Sequence, residues 1–136
     1  MSKDWQKDII EFQTKMGQEC HTKPTLPTKK SLELRYRLID EEVNKELLPA
    51  LKLYSEVGYE PLCEADVADG IVDSIYVLIG CAVSFGIDLG PIWNEVHRSN
   101  MLKAGGPRDS NGKILKPEGW KHPDIAKLIE EQEKGK

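Results

Sequence analysis

Cysteine is scarce in this chain of 136 residues: Cys20, Cys63 and Cys81 are the only three, an odd number with no short spacing. Neither a disulfide framework nor a zinc knuckle is indicated. Basic charge is not in excess either. Nineteen Lys and Arg stand against 23 Asp and Glu, a net charge of −4. That argues against nucleic acid as a partner, because its backbone calls for a concentrated basic patch. The opening Met-Ser-Lys-Asp-Trp-Gln-Lys lacks the apolar stretch of a secretory signal, so a reducing, cytoplasmic setting is expected. One long apolar run covers residues 71–87, but it is shorter than the roughly 20 residues a bilayer crossing takes, and Asp73 interrupts it. No membrane partner is expected. Internal repeats and low-complexity runs are also missing from the sequence. What is present is 39% hydrophobic and 31% charged, one domain's worth of chain, able to bury about two-thirds of its unfolded surface.

The apolar spacing is helical. Trp5, Ile9, Phe12 and Met16 recur at four, three and four residues, one stripe of a helix over 3–16 that Gly17 closes. Residues 18–30 hold two prolines and no period, and read as an extended connector. A second helix is expected from Ser31, as its cap, through Leu34, Leu38, Leu47 and Leu51 towards Tyr54, with a kink at Pro49. A third covers 64–85 and is apolar nearly all round. Such a helix must be covered on every side. In a chain with few other helices a second copy is the natural cover, which predicts a homodimer or a dimer of dimers. Asp88 is placed to cap a fourth helix, with Pro91 in its first turn, that runs through Ile92, Trp93 and Val96 to about Asn100. Residues 102–123 form a basic loop rich in Gly, Pro and Lys, with a tight turn at Asn111-Gly112. A short helix from 123–124 to about Gln132 follows, and residues 134–136 fray. The expected fold is all-α: one domain over 1–136, a bundle of four to five helices whose core homodimerisation completes.

The acids are the informative residues. Asp66, Asp69 and Asp73 are spaced three and four apart, which sets them within about 60° of one another on the third helix. A solvated charged face would interleave Lys or Arg to relieve them, yet residues 64–87 contain neither. The second helix offers a matching stripe in Asp40-Glu41-Glu42, with Glu46 four residues after Glu42. Two acidic stripes on neighbouring helices make an oxygen-only cage, which suits Mg²⁺, or Mn²⁺ in its place, and not Zn²⁺. Such a cation takes substrate phosphates as further ligands and can lower the pKa of a water for attack on phosphorus. Blander readings stand beside this one. Glu64 and Asp66 at a helix start also complement the helix dipole. Asp40-Glu41-Glu42 also fits a solvated face relieved by Arg35, Arg37 and Lys45. For Asp73 the bland reading is weak, because an unpaired buried carboxylate is very costly.

Basic residues gather after the fourth helix: Lys103, Arg108, Lys113, Lys116 and Lys121, on a segment containing Gly105 and Gly106. They suit the phosphates of a nucleotide, although any single lysine is as readily an ordinary loop residue. Asn100 fits either a helix C-cap or a contact to a base. His97 reads as a core or supporting histidine. Trp5, Trp93 and Tyr76 read as core residues, and so does Cys81.

Three stretches together resemble the all-α nucleotide pyrophosphohydrolase superfamily of MazG-like and phosphoribosyl-ATP pyrophosphohydrolase-like proteins: Leu38-Ile39-Asp40-Glu41-Glu42, the run from Asp66 to Tyr76, and Glu95-Val96-His97-Arg98-Ser99-Asn100-Met101-Leu102-Lys103. The tail from Gly112 to Trp120 is similar to the superfamily's C-terminal segment as well. The resemblance implies a Mg²⁺-dependent enzyme that cleaves a nucleoside triphosphate between its α and β phosphates, giving the monophosphate and pyrophosphate. It implies a metal site drawn from Glu-Glu-x-x-Glu on one helix and Glu-x-x-Asp on the next. Glu41 and Glu42 match the first pattern, but Lys45 stands at its third acid, with Glu46 one residue later. Asp66 and Asp69 match the second pattern, and Asp73 precedes an apolar and aromatic run. The expectation is therefore that Glu41, Glu42, Glu46, Asp66, Asp69 and Asp73 hold the metal. Glu41 and Glu42 are the catalytic pair, Glu41 orienting or deprotonating the water. Lys103, Arg108, Lys113 and Lys116 bind phosphates, and Asn100 contacts sugar or base. Lys45 also motivates a rival, a catalytically weak nucleotide-binding or regulatory helical dimer. The remaining reading is a dimerisation protein with no ligand.

Overall fold

The structure, a computed structural model, describes residues 3–58, 61–104 and 106–135, without the side chains of 3–4 and 61–63. It is all-helical. The elements are α1 (Lys3–Lys15), α2 (Lys29–Ile39), a π-helical segment (Asp40–Leu47), α3 (Leu48–Val57), α4 (Pro61–Phe85), α5 (Leu89–Met101) and α6 (Ile125–Lys134). The junctions of α2, the π segment and α3 keep right-handed helical dihedrals, so the three form one continuous rod and the chain makes five rods. Among the described residues the one piece of β pairing is an isolated bridge between Arg108 and Ile114. The residues cluster into two compact units, one ending at Ile87 and one beginning at Asp88.

In the first unit α4 is the spine. Its interior face meets α1, α2, the π segment and α3. The apolar core is small, made of Ile9, Ile79, Ala82 and Val83. Gln13, Arg35 and Ser84 are as deeply buried as these. Arg35 donates to Gln13 Oε1 at 2.9 Å and to Gln18 Oε1 at 2.8 Å, and Gln13 donates to Ser84 Oγ at 3.3 Å. Two glycines let the rods approach. A Cβ at Gly80 would collide with Gln13 Oε1 and Arg35 Nη1, and one at Gly70 would press on the Leu47 side chain. Arg35 lies opposite Gly80 and Leu47 opposite Gly70, so the α2–α3 rod runs antiparallel to α4.

The connector is extended, as its prolines demand, and is tied to the end of α4: His21 N–H donates to Val83 O at 3.2 Å and Thr25 N–H to Phe85 O at 2.9 Å. Glu19 accepts from the Thr28 hydroxyl at 2.8 Å and pairs with His21 at 2.6 Å. With His21 and then Thr28 favouring its charged form, its pKa falls to about 2. These contacts place the start of α2 at Lys29, capped by Thr28, whose hydroxyl accepts from Ser31 N–H. Ser31 is thus inside the helix and not its cap. Pro49 is the second residue of α3, directly after the π segment, so the irregular hydrogen bonding of the rod lies just before it. The apolar run of 71–87 belongs to a longer helix, which over Glu64–Phe85 has the length and composition to cross a membrane.

In the second unit Asp88 caps α5 by accepting from Gly90 N–H at 3.0 Å, and Asp124 caps α6 by accepting from Lys127 N–H at 3.1 Å. Gln132 on α6 exchanges two hydrogen bonds with the Asp88 backbone, each 2.9 Å. Between them the chain turns at Asp109–Lys113. Asp109 Oδ1 accepts from Asn111 and Lys113 N–H, and Gly112 takes the positive φ of 82° that favours glycine.

Candidate active site

The two acidic stripes meet around Glu42. Burial is the first cause that raises its carboxyl above the ordinary range, followed by the charges of Asp73, Glu46, Glu41 and Asp69. Every charge named there is negative. Five of the six acids expected from sequence therefore share one electrostatic environment, with Glu42 and Asp73 half-buried and Glu41, Glu46 and Asp69 exposed. Asp66 stands apart from this set. Its carboxylate accepts from the Tyr54 hydroxyl at 2.8 Å, a contact that joins α3 to α4.

The π segment explains how Glu46 joins the set although Lys45 holds the expected place. In an α-helix, residues three and four apart are neighbours. In the π segment the bonds reach five residues, as in Leu48 N–H to Val43 O. The wider turn makes residues four and five apart the neighbours. Glu41 and Glu46 then stand as the first and last acids of Glu-Glu-x-x-Glu do on a plain α-helix, and Glu42 and Glu46 as its second and last. Lys45 is turned the same way towards Asp40, five residues back, at 3.3 Å, while Asn44 donates to the same carboxylate at 2.9 Å. The Asn44 amide and then the Lys45 ammonium hold the Asp40 carboxyl below its usual range.

Arg35, read from sequence as a relief for these acids, is buried and donates from Nη1 and Nη2 to two glutamines. Relief from within the chain is therefore smaller than the sequence suggests. The donor set suits a hard divalent cation, since every member offers carboxylate oxygens. The side chains stand apart, and among the described residues no three come close enough together to hold an ion. Binding would require carboxylates from both rods to close on it.

The basic residues divide into two groups. Lys103 Nζ lies 4.7 Å from the centroid of the Trp120 ring, and Lys116 Nζ lies 5.0 Å from it. Lys103 also donates to Asn100 Oδ1 at 3.0 Å, and the Trp120 indole N–H donates to Ser99 O at 3.0 Å. Arg108 folds back on its own turn, donating to Gly112 O at 3.3 Å, and Lys113 is exposed in that turn. Asn100, Lys103, Arg108, Lys113 and Lys116 all belong to the unit beginning at Asp88, and the six acids belong to the other. Trp120 as an organising residue was not legible as such. A lone tryptophan in a Gly- and Pro-rich loop was the only signal. His97, expected as a core or supporting histidine, is exposed, and so are Trp5, Trp93 and Tyr76, expected in the core.

A phosphoribosyl-ATP pyrophosphohydrolase family model matches residues 9–100. The match takes in all six acids and Asn100 and stops before the basic loop. No curated protein matches the chain.

Proposed function

The chain belongs to the phosphoribosyl-ATP pyrophosphohydrolase family, among the MazG-like all-α pyrophosphohydrolases, and from that premise we propose that it hydrolyses a nucleoside triphosphate to the monophosphate and pyrophosphate. The observation that carries this reading is Glu42, a half-buried carboxyl with four other acids acting on it from two rods. Carboxylates so placed repel, and a Mg²⁺ ion, or Mn²⁺ in its stead, would resolve the repulsion.

Glu41, Glu42, Glu46, Asp69 and Asp73 are the residues that would hold the cation, with Asp66 steadying α4 against α3 through Tyr54. When bound, the cation supplies charge neutralisation for the phosphates and acidifies a water. Glu41, an exposed member of the set, would orient the attacking water and take its proton. The water oxygen bonds to phosphorus, the α–β bridging bond breaks, and the electron pair leaves with pyrophosphate. Lys103 and Lys116 bind phosphate oxygens, and Asn100 contacts sugar or base. Lys45, the feature that favours a non-catalytic module, is engaged by Asp40 and stays clear of this work. The enzyme acts in the cytoplasm as a homodimer or a dimer of dimers, because α1 and α4 leave Trp5, Phe12, Ile71, Val72, Tyr76 and Leu78 uncovered in the single chain.

The test is pyrophosphate release from common and modified triphosphates, and from phosphoribosyl-ATP, with Mg²⁺. Asp73→Asn should lower kcat/KM by at least about a hundredfold, beyond what losing a supporting contact costs a metal site. Equal turnover in the two proteins removes the mechanism.

A further inference from the structure

Lysine side chains on an exposed loop ordinarily sample many rotamers, and holding one still costs up to about 2 kcal/mol. Here two of them, from positions thirteen residues apart in sequence, converge on one indole ring. Among the described residues neither ammonium is ion-paired with a carboxylate. The face of a tryptophan is the best aromatic surface for a cation, so Trp120 gives both chains a reason to settle there. The ring itself is fixed: its N–H is bonded to Ser99 O, and it packs nearly perpendicular to the His122 ring with centroids 4.8 Å apart. Each ammonium carries three N–H groups. Lys103 gives one to Asn100 and keeps the others. The two ammoniums, each beside the same ring, are no more than about 10 Å apart, a span that an anion with several acceptor oxygens can bridge. Arg108 and Lys113 lie on the turn and make no such contact with the ring.

We propose that Trp120 is a positioning residue that gathers Lys103 and Lys116 into a two-ammonium site for a condensed phosphate, the pyrophosphate portion of the substrate. This rests on the hydrolase reading above for its substrate, but the site binds pyrophosphate whether or not the acids turn it over. The experiment is calorimetric titration of the full chain with inorganic pyrophosphate in EDTA, so that no divalent cation lets the acids take part. Lys103→Gln with Lys116→Gln should weaken binding by about a hundredfold. Lys134→Gln, which removes the same charge from the end of α6, should leave affinity unchanged.

Trp120→Ala should weaken binding by about tenfold, and Trp120→Phe by clearly less, because phenylalanine keeps a cation-binding face. Both substitutions lose the bond to Ser99 alike, so equal losses would make Trp120 a mere strut and overturn the proposal. In turnover assays the ring variants should raise KM more than they lower kcat. If pyrophosphate fails to bind while triphosphates are hydrolysed, the two-lysine site is wrong and the enzyme reading stands. If pyrophosphate binds and no triphosphate is cleaved, the site stands and the enzyme reading falls.

Discussion

Arg35 and Lys45 carry the same charge on the same rod, and each is committed away from Glu41 and Glu42, which lie between them. Arg35 is held by Gln13 and Gln18, Lys45 by Asp40. What is left around Glu42 is a set of like charges, and this has a measurable sign. A carboxyl whose pKa is raised on folding stabilises the fold below its ordinary value of 4.5. That contribution is lost as pH climbs from there through the raised value. At neutral pH and without divalent cation, ionised Glu42 therefore works against folding. Glu42→Gln should raise Tm in EDTA at about pH 7, and should flatten the fall in stability between acid and neutral pH. The same variant should lose much of the Mg²⁺-induced rise in Tm that a ligand produces by mass action. Thermal unfolding with and without Mg²⁺ at two pH values reads both effects. That the acids lack neighbouring bases in α4 was legible from composition alone. The direction of Arg35 was not, because a long side chain can reach either flank of its helix and only the depth of Gln13 decides which.

The rods themselves were largely legible, since an apolar period of three and four residues survives any packing arrangement. Their ends were less so: Thr28 displaced Ser31 as the cap because Glu19, nine residues back, holds its N–H and hydroxyl. The π segment was beyond reach of periodicity. Asp-Glu-Glu-Val-Asn-Lys-Glu-Leu holds no breaker, and its one trace in the sequence is the displacement of an acid from Lys45 to Glu46. Close approach of the rods to α4 gives this scale its prediction. Gly80→Ala must part Arg35 from Gln13, and should cost about 1–3 kcal/mol, the usual range for forcing atoms into a filled site. Gly70→Ala meets the flexible end of Leu47 at 3.3 Å. There the gain in helix propensity, up to about 1 kcal/mol, offsets the crowding, and stability should be unchanged or slightly higher. Urea unfolding of the two variants compares them directly.

At the scale of the whole molecule the telling contrast, among the described residues, is between four buried apolar residues and the many large ones left on the outside of α1 and α4. Phe12 and Tyr76 meet edge to face, 5.3 Å between centroids, and still stand more than a third exposed. A self-association that covers these faces predicts that the chain sediments in detergent-free buffer at twice or four times its own mass. Sedimentation as a single chain would remove the homodimer from the scheme. The π segment adds a consequence for comparing chains of different length. Its extra residue is absorbed where it enters, so Arg35 upstream and Leu47 downstream both still look towards α4. A relative one residue shorter at this point can run as plain α-helix, keep every later contact and present the same trio of acids. Counting gaps in an alignment is therefore a poor guide to which members have kept their chemistry; the bonding pattern of this one turn is a better one.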